Sequence, residues 1–181
     1  MFRSAAAAIA VTLAALSAAG QATLPIGAKA PDIQTQVSLA GVPKPFSLKE
    51  ALKSGPVVLY FYPAAFTTGC TIEAHDFAEA TDDFHKLGAT VIGMSADPID
   101  KLNKFSVQEC RNKFAVGAAT AATIKAYDVV LPQKPELSNR TSYVIAPDGK
   151  IIFVYSALDP SGHVSGTMDA VRSWRAKHPT S

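Results

Sequence analysis

The spacing of hydrophobic residues along the middle of the chain predicts strands that alternate with helices. The run from Val57 to Tyr62 is apolar at every position, as in a central strand that is covered on both faces. From Thr71 the apolar residues recur at helical spacing until Gly88, which favours a helix end. A second strand is predicted over residues 89–95 and a second helix over residues 98–110. This order indicates parallel strands that are connected by helices.

The second half of the chain predicts shorter elements, followed by a hairpin and a helix. The turn sequence Pro147-Asp148-Gly149-Lys150 separates two apolar segments, which is typical of a β-hairpin. The elements predicted after the second helix are an extended segment (114–117), a short helix (121–127), two hairpin strands (141–146 and 151–155) and a last helix (164–178). We expect an α/β fold in which a mixed central β-sheet is flanked by helices on both faces.

The N-terminal part of the chain contributes less to this pattern. Residues 23–56 are rich in proline and glycine and predict turns, with one short capped helix over residues 47–52. Before them, Met1-Phe2-Arg3 and an apolar stretch over residues 5–19 have the layout of a secretory signal peptide. We assign residues 1–22 to this signal peptide and residues 23–181 to one domain. An uncleaved anchor is the alternative, although the apolar stretch is shorter than the ~20 residues of a typical membrane span.

Charge and cysteine content limit the possible partners. The formal net charge is only +2, and Lys and Arg are dispersed, so we expect no nucleic-acid partner and no stable membrane association after signal cleavage. The signal peptide predicts export to the periplasm, where disulfides form and persist. The two cysteines, Cys70 and Cys110, permit one bridge, a redox couple or two independent thiols.

Cys70 is the residue whose position most clearly indicates chemistry. The sequence Pro63-Ala-Ala-Phe-Thr-Thr-Gly-Cys70 directly follows the first predicted strand, so the cysteine falls in the first turn of the next helix. Unpaired backbone N–H groups and the positive end of the helix dipole favour a thiolate at such a place. The alternative is that Cys70 is a small buried hydrophobic residue, as many free cysteines are.

With these residues identified, the chain resembles the peroxiredoxins, which form the alkyl hydroperoxide reductase and thiol-specific antioxidant superfamily. The resemblance is closest to the bacterioferritin-comigratory subgroup and spans nearly all of residues 23–181. The residues that carry it are Ala30-Pro31-Asp32, Tyr60-Phe61-Tyr62-Pro63, the spacing of Pro63, Thr67 and Cys70, Asn139-Arg140-Thr141, the Asp148-Gly149-Lys150 turn and Gly162-His163.

The resemblance implies a thioredoxin-like fold and a thiol peroxidase that serves antioxidant defence. It implies that the Cys70 thiolate attacks hydrogen peroxide or a small organic hydroperoxide and becomes a sulfenic acid. Thr67 would bind the peroxide, Arg140 would stabilise charge, Pro63 would wall the pocket and Glu73 would orient Arg140. Thr67 as a plain turn residue, Arg140 as a surface cation and Glu73 as a dipole-favoured helix residue are the alternatives. No metal, haem or flavin is implied, and electrons would come from thioredoxin or a thioredoxin-like protein.

The chain departs from the subgroup at the second cysteine. Many members carry it five positions after the first, where this chain has His75. The other usual site would fall near Ser106, and Cys110 lies about one turn beyond it. Three hypotheses stay open for Cys110. It resolves the Cys70 sulfenic acid as a disulfide after local unwinding, or it is inert packing in an enzyme reduced by an external thiol, or it forms a permanent structural bridge.

Two other functions are alternatives. A thioredoxin-fold copper chaperone would use four soft ligands, namely Cys70, His75, Cys110 and His163. Five helical residues rotate by about 500°, so His75 would lie about 140° around the helix from Cys70, which is poor for chelation. A dithiol reductase would need a C-x-x-C pair, which the chain lacks. We expect His75, His85 and His178 to be solvated, and His163 to cap the last helix.

Overall fold

The computed structural model describes residues 23–179, in which a seven-stranded mixed sheet lies between two layers of helices. The strands are β1 (Gln34–Leu39), β2 (Val42–Ser47), β3 (Val57–Phe61), β4 (Thr90–Ser95), β5 (Ala115–Ala118), β6 (Val130–Leu131), β7 (Lys134–Ser138), β8 (Thr141–Ile145) and β9 (Ile151–Ser156). The helices are α1 (Leu48–Ala51), α2 (Thr68–Lys86), α3 (Ile99–Gln108), α4 (Ala121–Ala126) and α5 (His163–Lys177). The sheet order is β2-β1-β5-β4-β3-β8-β9, and β6 and β7 form a separate ribbon.

Strand β3 is central because every one of its side chains is apolar and buried. It pairs in parallel with β4 and antiparallel with β8. Val58 and Tyr60 point into a core cluster shared with α2, α3 and α5, whereas Val57, Leu59 and Phe61 point into a second cluster with residues of α1 and α4. Successive strand residues thus face opposite helical layers. The predicted mixed sheet with helices on both faces is confirmed.

Most predicted elements occur within a few residues of their expected positions. Strands β3, β4 and β5 run parallel, as the alternation of strands and helices predicts. The turn at residues 147–150 joins β8 and β9 in the predicted antiparallel hairpin. Helix α2 begins three residues earlier than its apolar periodicity indicates, because the polar residues of its first turn carry no hydrophobic signal.

The prediction of turns over residues 23–56 is incomplete, because this region contains the β1–β2 hairpin. Pro43 pairs with Ser38 and Pro45 pairs with Gln36 across this hairpin. The two prolines stand two residues apart, so their missing N–H groups face the same side of β2. Since β2 is the outermost strand, that side is the free edge of the sheet, where proline is tolerated.

Two further boundaries differ from the sequence prediction. Helix α3 ends at Gln108 with Glu109 as its C-cap, so Cys110 follows the helix rather than lying on it. The next residues, Arg111 and Asn112, adopt left-handed backbone with φ of 50° and 60°. Between α4 and β8, where the sequence analysis names no element, the chain forms the short ribbon of β6 and β7.

The predicted signal peptide, residues 1–22, lies outside the described residues. Between residues 23 and 179 no helix combines the length and the apolar composition that crossing a bilayer requires.

Candidate active site

Cys70 lies in the first turn of α2, at the carboxyl end of β3. The chain leaves β3 at Tyr62, whose backbone N–H donates to the carbonyl oxygen of Met94 on β4 over 3.0 Å. Thr67 is the N-cap residue of α2 and has extended backbone, but its hydroxyl makes no capping bond and instead donates to the Ala64 carbonyl oxygen over 3.0 Å. The side chain of Thr67 therefore leaves the first backbone N–H groups of α2 free for an incoming oxygen atom.

Asp97 holds the turn that precedes Cys70, a role the sequence analysis missed. Its Oδ2 atom accepts hydrogen bonds from the Ala65 backbone N–H at 2.7 Å and from the Ser95 hydroxyl at 2.9 Å. Its Oδ1 atom pairs with Lys101 Nζ at 2.7 Å. The sequence does contain a signal for this role, namely a carboxylate two residues after the end of β4. The carboxyl ends of neighbouring parallel strands meet at one edge of the sheet, so this carboxylate lies near the end of β3.

Arg140 brings three groups of the site together, although it lies 70 positions from Cys70. Its Nη2 atom lies 3.5 Å from Cys70 Sγ, its Nη1 atom contacts Glu73 Oε2, and its Nε atom donates to the Leu158 carbonyl oxygen over 2.8 Å. These contacts are sealed from solvent, since Cys70, Glu73 and Arg140 are 1%, 0% and 4% exposed. The guanidinium therefore places a positive charge next to the Cys70 sulfur.

The approach of Arg140 to α2 depends on a glycine. A Cβ atom at Gly69 would lie 2.9 Å from Arg140 Nη2, closer than ordinary van der Waals contact. Any other residue would therefore displace the guanidinium from the helix N-terminus. The sequence analysis places Gly69 in the turn but does not find this contact.

The ionisation of Glu73 is set by two opposing effects. Burial favours the neutral acid, whereas the adjacent Arg140 favours the carboxylate, and the larger effect of burial raises the pKa of Glu73 to about 8. Burial also opposes the charge of Arg140, but Glu73 and Cys70 together raise the pKa of Arg140 above its ordinary value. Arg140 thus stays charged, whereas the charge of Glu73 near neutral pH depends on the groups that contact it.

The remaining predicted residues, Pro63 and Thr67, lie in the segment between β3 and α2. Pro63 is half-buried in the turn, and Thr67 is exposed at the N-cap. Phe66 between them has a φ of +68°, and its ring packs edge-on against Phe105 of α3 at 5.2 Å between centroids. Cys70 itself is almost completely enclosed.

Cys110 is a free thiol in the structure, as is Cys70, so no permanent disulfide joins them. Both belong to the core cluster on the α2, α3 and α5 face. Burial raises the pKa of the Cys110 thiol, and the neighbouring Glu109 raises it further. Cys110 is therefore a weak nucleophile as long as it stays buried.

Two histidine predictions need correction. His75 is not fully solvated, because its Nε2 atom contacts Glu109 Oε2 at 2.8 Å across the gap between α2 and the segment after α3. His163 is the first residue of α5 but not its cap, which is Gly162 in left-handed backbone. His163 has no exposed surface, and its Nδ1 atom lies 2.8 Å from Ser142 Oγ and 3.6 Å from Glu73 Oε1. A sequence pattern cannot reveal these contacts between distant elements.

The ligand set of the copper-chaperone alternative is not assembled. Within residues 23–179, no group of three or more His, Cys, Asp or Glu side chains is placed to hold a metal ion. His75 contacts Glu109 and His163 contacts Ser142, so each histidine has a partner of its own.

Comparison with known proteins identifies similar sequences and structures. The family model described as the AhpC/TSA family matches residues 26–154. The chain is 31% identical to peroxiredoxin Bcp of Escherichia coli strain K12 over 135 residues. This alignment covers 67% of this chain and 79% of the relative. The chain is 30% identical over 152 residues to chloroplastic peroxiredoxin Q of Sedum lineare, covering 78% and 81% of the two chains.

The solved structures agree with the sequence matches. The crystal structure of peroxidoxin BcpB from Mycobacterium tuberculosis superposes with a TM-score of 0.74 at 30% identity, covering 82% of this chain and 96% of that one. The structure of Mycobacterium tuberculosis AhpC superposes with a TM-score of 0.75 at 18% identity, which supports the fold alone. The predicted thioredoxin-like fold is thereby confirmed.

Proposed function

Because the chain belongs to the AhpC/TSA family of peroxiredoxins, we propose that it is a thiol peroxidase whose peroxide-reactive residue is Cys70. The observation that carries the choice of Cys70 is the 3.5 Å contact between its sulfur and Arg140 Nη2 in the first turn of α2. The substrates are hydrogen peroxide and small organic hydroperoxides, which suit a sulfur with so little exposed surface.

The first step is a displacement at oxygen. The Cys70 thiolate attacks the terminal oxygen of the peroxide, an S–O bond forms, and the O–O bond breaks. The sulfur is oxidised to a sulfenic acid, and the departing oxygen takes a proton to leave as water or an alcohol. Negative charge thus moves from sulfur to the departing oxygen, and groups that contact both atoms accelerate the reaction.

Ionisation of the thiol cannot supply most of the rate. A free thiol with a pKa near 8.5 is about 3% ionised at neutral pH, so full ionisation raises the reactive fraction only about 30-fold. Enzymes accelerate reactions by at least about a million-fold. The larger part comes from Arg140 next to the sulfur, from the N–H groups of Gly69 and Cys70, and from Thr67 at the N-cap, which hold the peroxide and stabilise the departing oxygen. Pro63 limits the space around them.

The second step restores the thiol, and we assign the resolving role to Cys110. Its thiolate attacks the Cys70 sulfur, the S–O bond breaks, hydroxide leaves as water after protonation, and a disulfide forms. Burial of both thiols supports a scheme in which the N-terminal turn of α2 and the segment after α3 open first. An external dithiol, thioredoxin or a thioredoxin-like protein, then reduces the disulfide. The apolar stretch at residues 5–19 supports export to the periplasm, where the donor would be a thioredoxin-like protein.

Stopped-flow measurement of peroxide consumption tests both steps. We expect Cys70→Ser to abolish consumption, whereas Cys110→Ser keeps the first turnover and loses disulfide formation. Peptide mapping of peroxide-treated wild type should show a Cys70–Cys110 crosslink. Activity that survives Cys70→Ser would reject the peroxidatic assignment. A wild type that stops at sulfenic or sulfinic Cys70 would reject the resolving role alone.

A further inference from the structure

Arg140 is buried beside two acidic groups, the thiol of Cys70 and the carboxyl group of Glu73, and its single positive charge can compensate only one of them. Cys70 and Glu73 both contact Arg140, and all three side chains are buried. If both acids were ionised, two negative charges would share one buried positive charge and one of them would lack compensation. A single proton on either acid restores neutrality. Its location decides whether the sulfur is a thiolate.

The two oxygen atoms of Glu73 have different surroundings. Oε2 contacts Arg140 Nη1. Oε1 is buried, has no hydrogen-bond partner among the described residues, and lies 3.6 Å from Nδ1 of His163. That separation exceeds a hydrogen bond, so the two atoms interact only electrostatically in this geometry.

The hydrogen bonds of His163 fix the position of its own proton. Nε2 lies 3.0 Å from the carbonyl oxygen of Ala157, which only accepts, so Nε2 carries the hydrogen. Burial lowers the pKa of His163 to about 4, even though the contact with Ala157 favours the charged form. The ring is therefore neutral at pH 7, and Nδ1 presents a lone pair, to which the Ser142 hydroxyl donates over 2.8 Å.

An ionised Oε1 would face this lone pair with no proton between the two atoms, and both side chains are closed to bulk solvent. A protonated Oε1 carries no negative charge for this lone pair to repel, and the lone pair continues to accept from the Ser142 hydroxyl. We propose that His163 is a positioning residue that keeps a proton on Glu73 Oε1, so that the positive charge of Arg140 is left to the Cys70 thiolate. This inference rests on the proposed role of Cys70.

Other titratable groups around the pocket do not change this arrangement. Asp76, on the same helix as Glu73, favours the neutral form of Glu73, as does burial. Tyr60 of β3 is a neutral phenol, because burial raises its pKa well above the ordinary value. Asp159 favours a charged His163 but is exposed, and Tyr155 packs its ring on His163 at 4.7 Å between centroids. None of these groups hydrogen-bonds Oε1.

Alkylation of Cys70 by iodoacetamide tests the proposal without turnover, since only the thiolate reacts. His163→Phe keeps a planar ring against Tyr155 and replaces the lone pair by an aromatic edge, which favours an ionised Glu73. The ionised Glu73 carboxylate then compensates more of the positive charge of Arg140, and Cys70 retains its proton. We expect alkylation of Cys70 at pH 7, mapped by mass spectrometry, to slow about tenfold, with recovery at higher pH.

Three variants separate this role from simple packing. His163→Asn, whose amide oxygen stands near the position of Nδ1, should restore much of the alkylation rate. Ser142→Ala removes the other partner of Nδ1 and should leave the rate within about twofold of wild type. In a Glu73→Gln background, His163→Phe should have no further effect on alkylation. An equal loss in both backgrounds, or no loss in either, would overturn the proposal.

Infrared difference spectroscopy of the wild type provides a test even if His163→Phe does not fold. At pH 7 the wild type should show the carbonyl stretch of a protonated buried carboxylic acid, and Glu73→Gln should lack it. Absence of this band from the wild type would refute the proposal. Neither alkylation nor infrared spectroscopy involves peroxide. A failure of the His163 proposal is therefore distinguishable from a failure of the peroxidatic assignment, which would appear as activity that persists in Cys70→Ser.

Discussion

At the scale of single residues, Gly69 couples the shape of the helix to the chemistry of the sulfur. Arg140 cannot move away from a new Cβ atom without losing contacts, because its Nη1 and Nε atoms are engaged by Glu73 and Leu158. We expect Gly69→Ala to lower the rate constant for peroxide about ten- to a hundredfold in stopped-flow assays. The melting temperature should fall as well, because loosening the buried contacts of Arg140 costs more than the higher helix propensity of alanine contributes.

The neighbouring exposed Thr68 provides a matched control for Gly69→Ala. Thr68→Ala adds no atom near Arg140 and should leave the rate constant within about twofold of wild type. If Gly69→Ala reacted as fast as Thr68→Ala, the close approach of the guanidinium would have no catalytic consequence.

How far the site could be predicted depends on which part of the chain supplies each contact. Cys70 and Thr67 are adjacent in sequence to a buried strand, so their place at a helix start follows from local pattern. Arg140 is linked to Cys70 only through the family resemblance. The contacts of Asp97 and His163 arise from the packing of β4 and α5 around the turn, and no local pattern contains that information.

At the scale of elements, three polar pairs join α2 to the segment after α3, and we call these pairs the clasp. They are His75–Glu109 at 2.8 Å, Glu79–Arg111 at 3.1 Å and Asp82–Lys113 at 2.9 Å. The α2 members are spaced by four and three residues, so they share one face of the helix. The clasp holds the left-handed backbone at Arg111 and Asn112, next to Cys110.

Loosening the clasp should free Cys110 to reach Cys70. We expect the double variant Glu79→Arg, Asp82→Lys to form the Cys70–Cys110 disulfide severalfold faster after one equivalent of peroxide, measured by quenching and mass spectrometry. Global stability should change little, because exposed ion pairs contribute little. Adding Arg111→Glu and Lys113→Asp reverses both signs and should return the disulfide rate toward wild type. An unchanged rate in the double variant would show that another contact limits opening.

The element boundaries show where sequence patterns lose information. β3 and α2 are long enough for periodicity to identify them. The β1–β2 hairpin was missed because its edge strand carries Pro43 and Pro45, which normally indicate a turn. Ser106 illustrates a related limit. It stands near a position where the subgroup usually has a cysteine, yet here its hydroxyl contacts Ser38 Oγ at 3.1 Å and accepts from the Gly41 N–H at 2.9 Å, which holds the hairpin against α3.

At the scale of the whole molecule, the stability of the fold depends on pH through two buried groups that act in opposite directions. His163 has a folded-state pKa of about 4 against an ordinary value of 6.5, so the unfolded chain binds the extra proton and stability falls as the pH drops from 6.5 to 4. Glu73 has a folded-state pKa of about 8 against 4.5, so the folded chain binds the extra proton and stability falls as the pH rises from 4.5 to 8.

The two slopes oppose each other between pH 4.5 and 6.5, and only the Glu73 slope remains above that range. We therefore expect the free energy of unfolding of the wild type, from urea titrations, to change little between pH 5 and 6.5 and to fall by about 2 kcal/mol between pH 6.5 and 8. Glu73→Gln should abolish the fall above pH 6.5 and expose the loss of stability on acidification that His163 causes. A Glu73→Gln protein that lost as much stability as the wild type between pH 6.5 and 8 would show that a different group titrates there and that Glu73 makes no contribution to the slope.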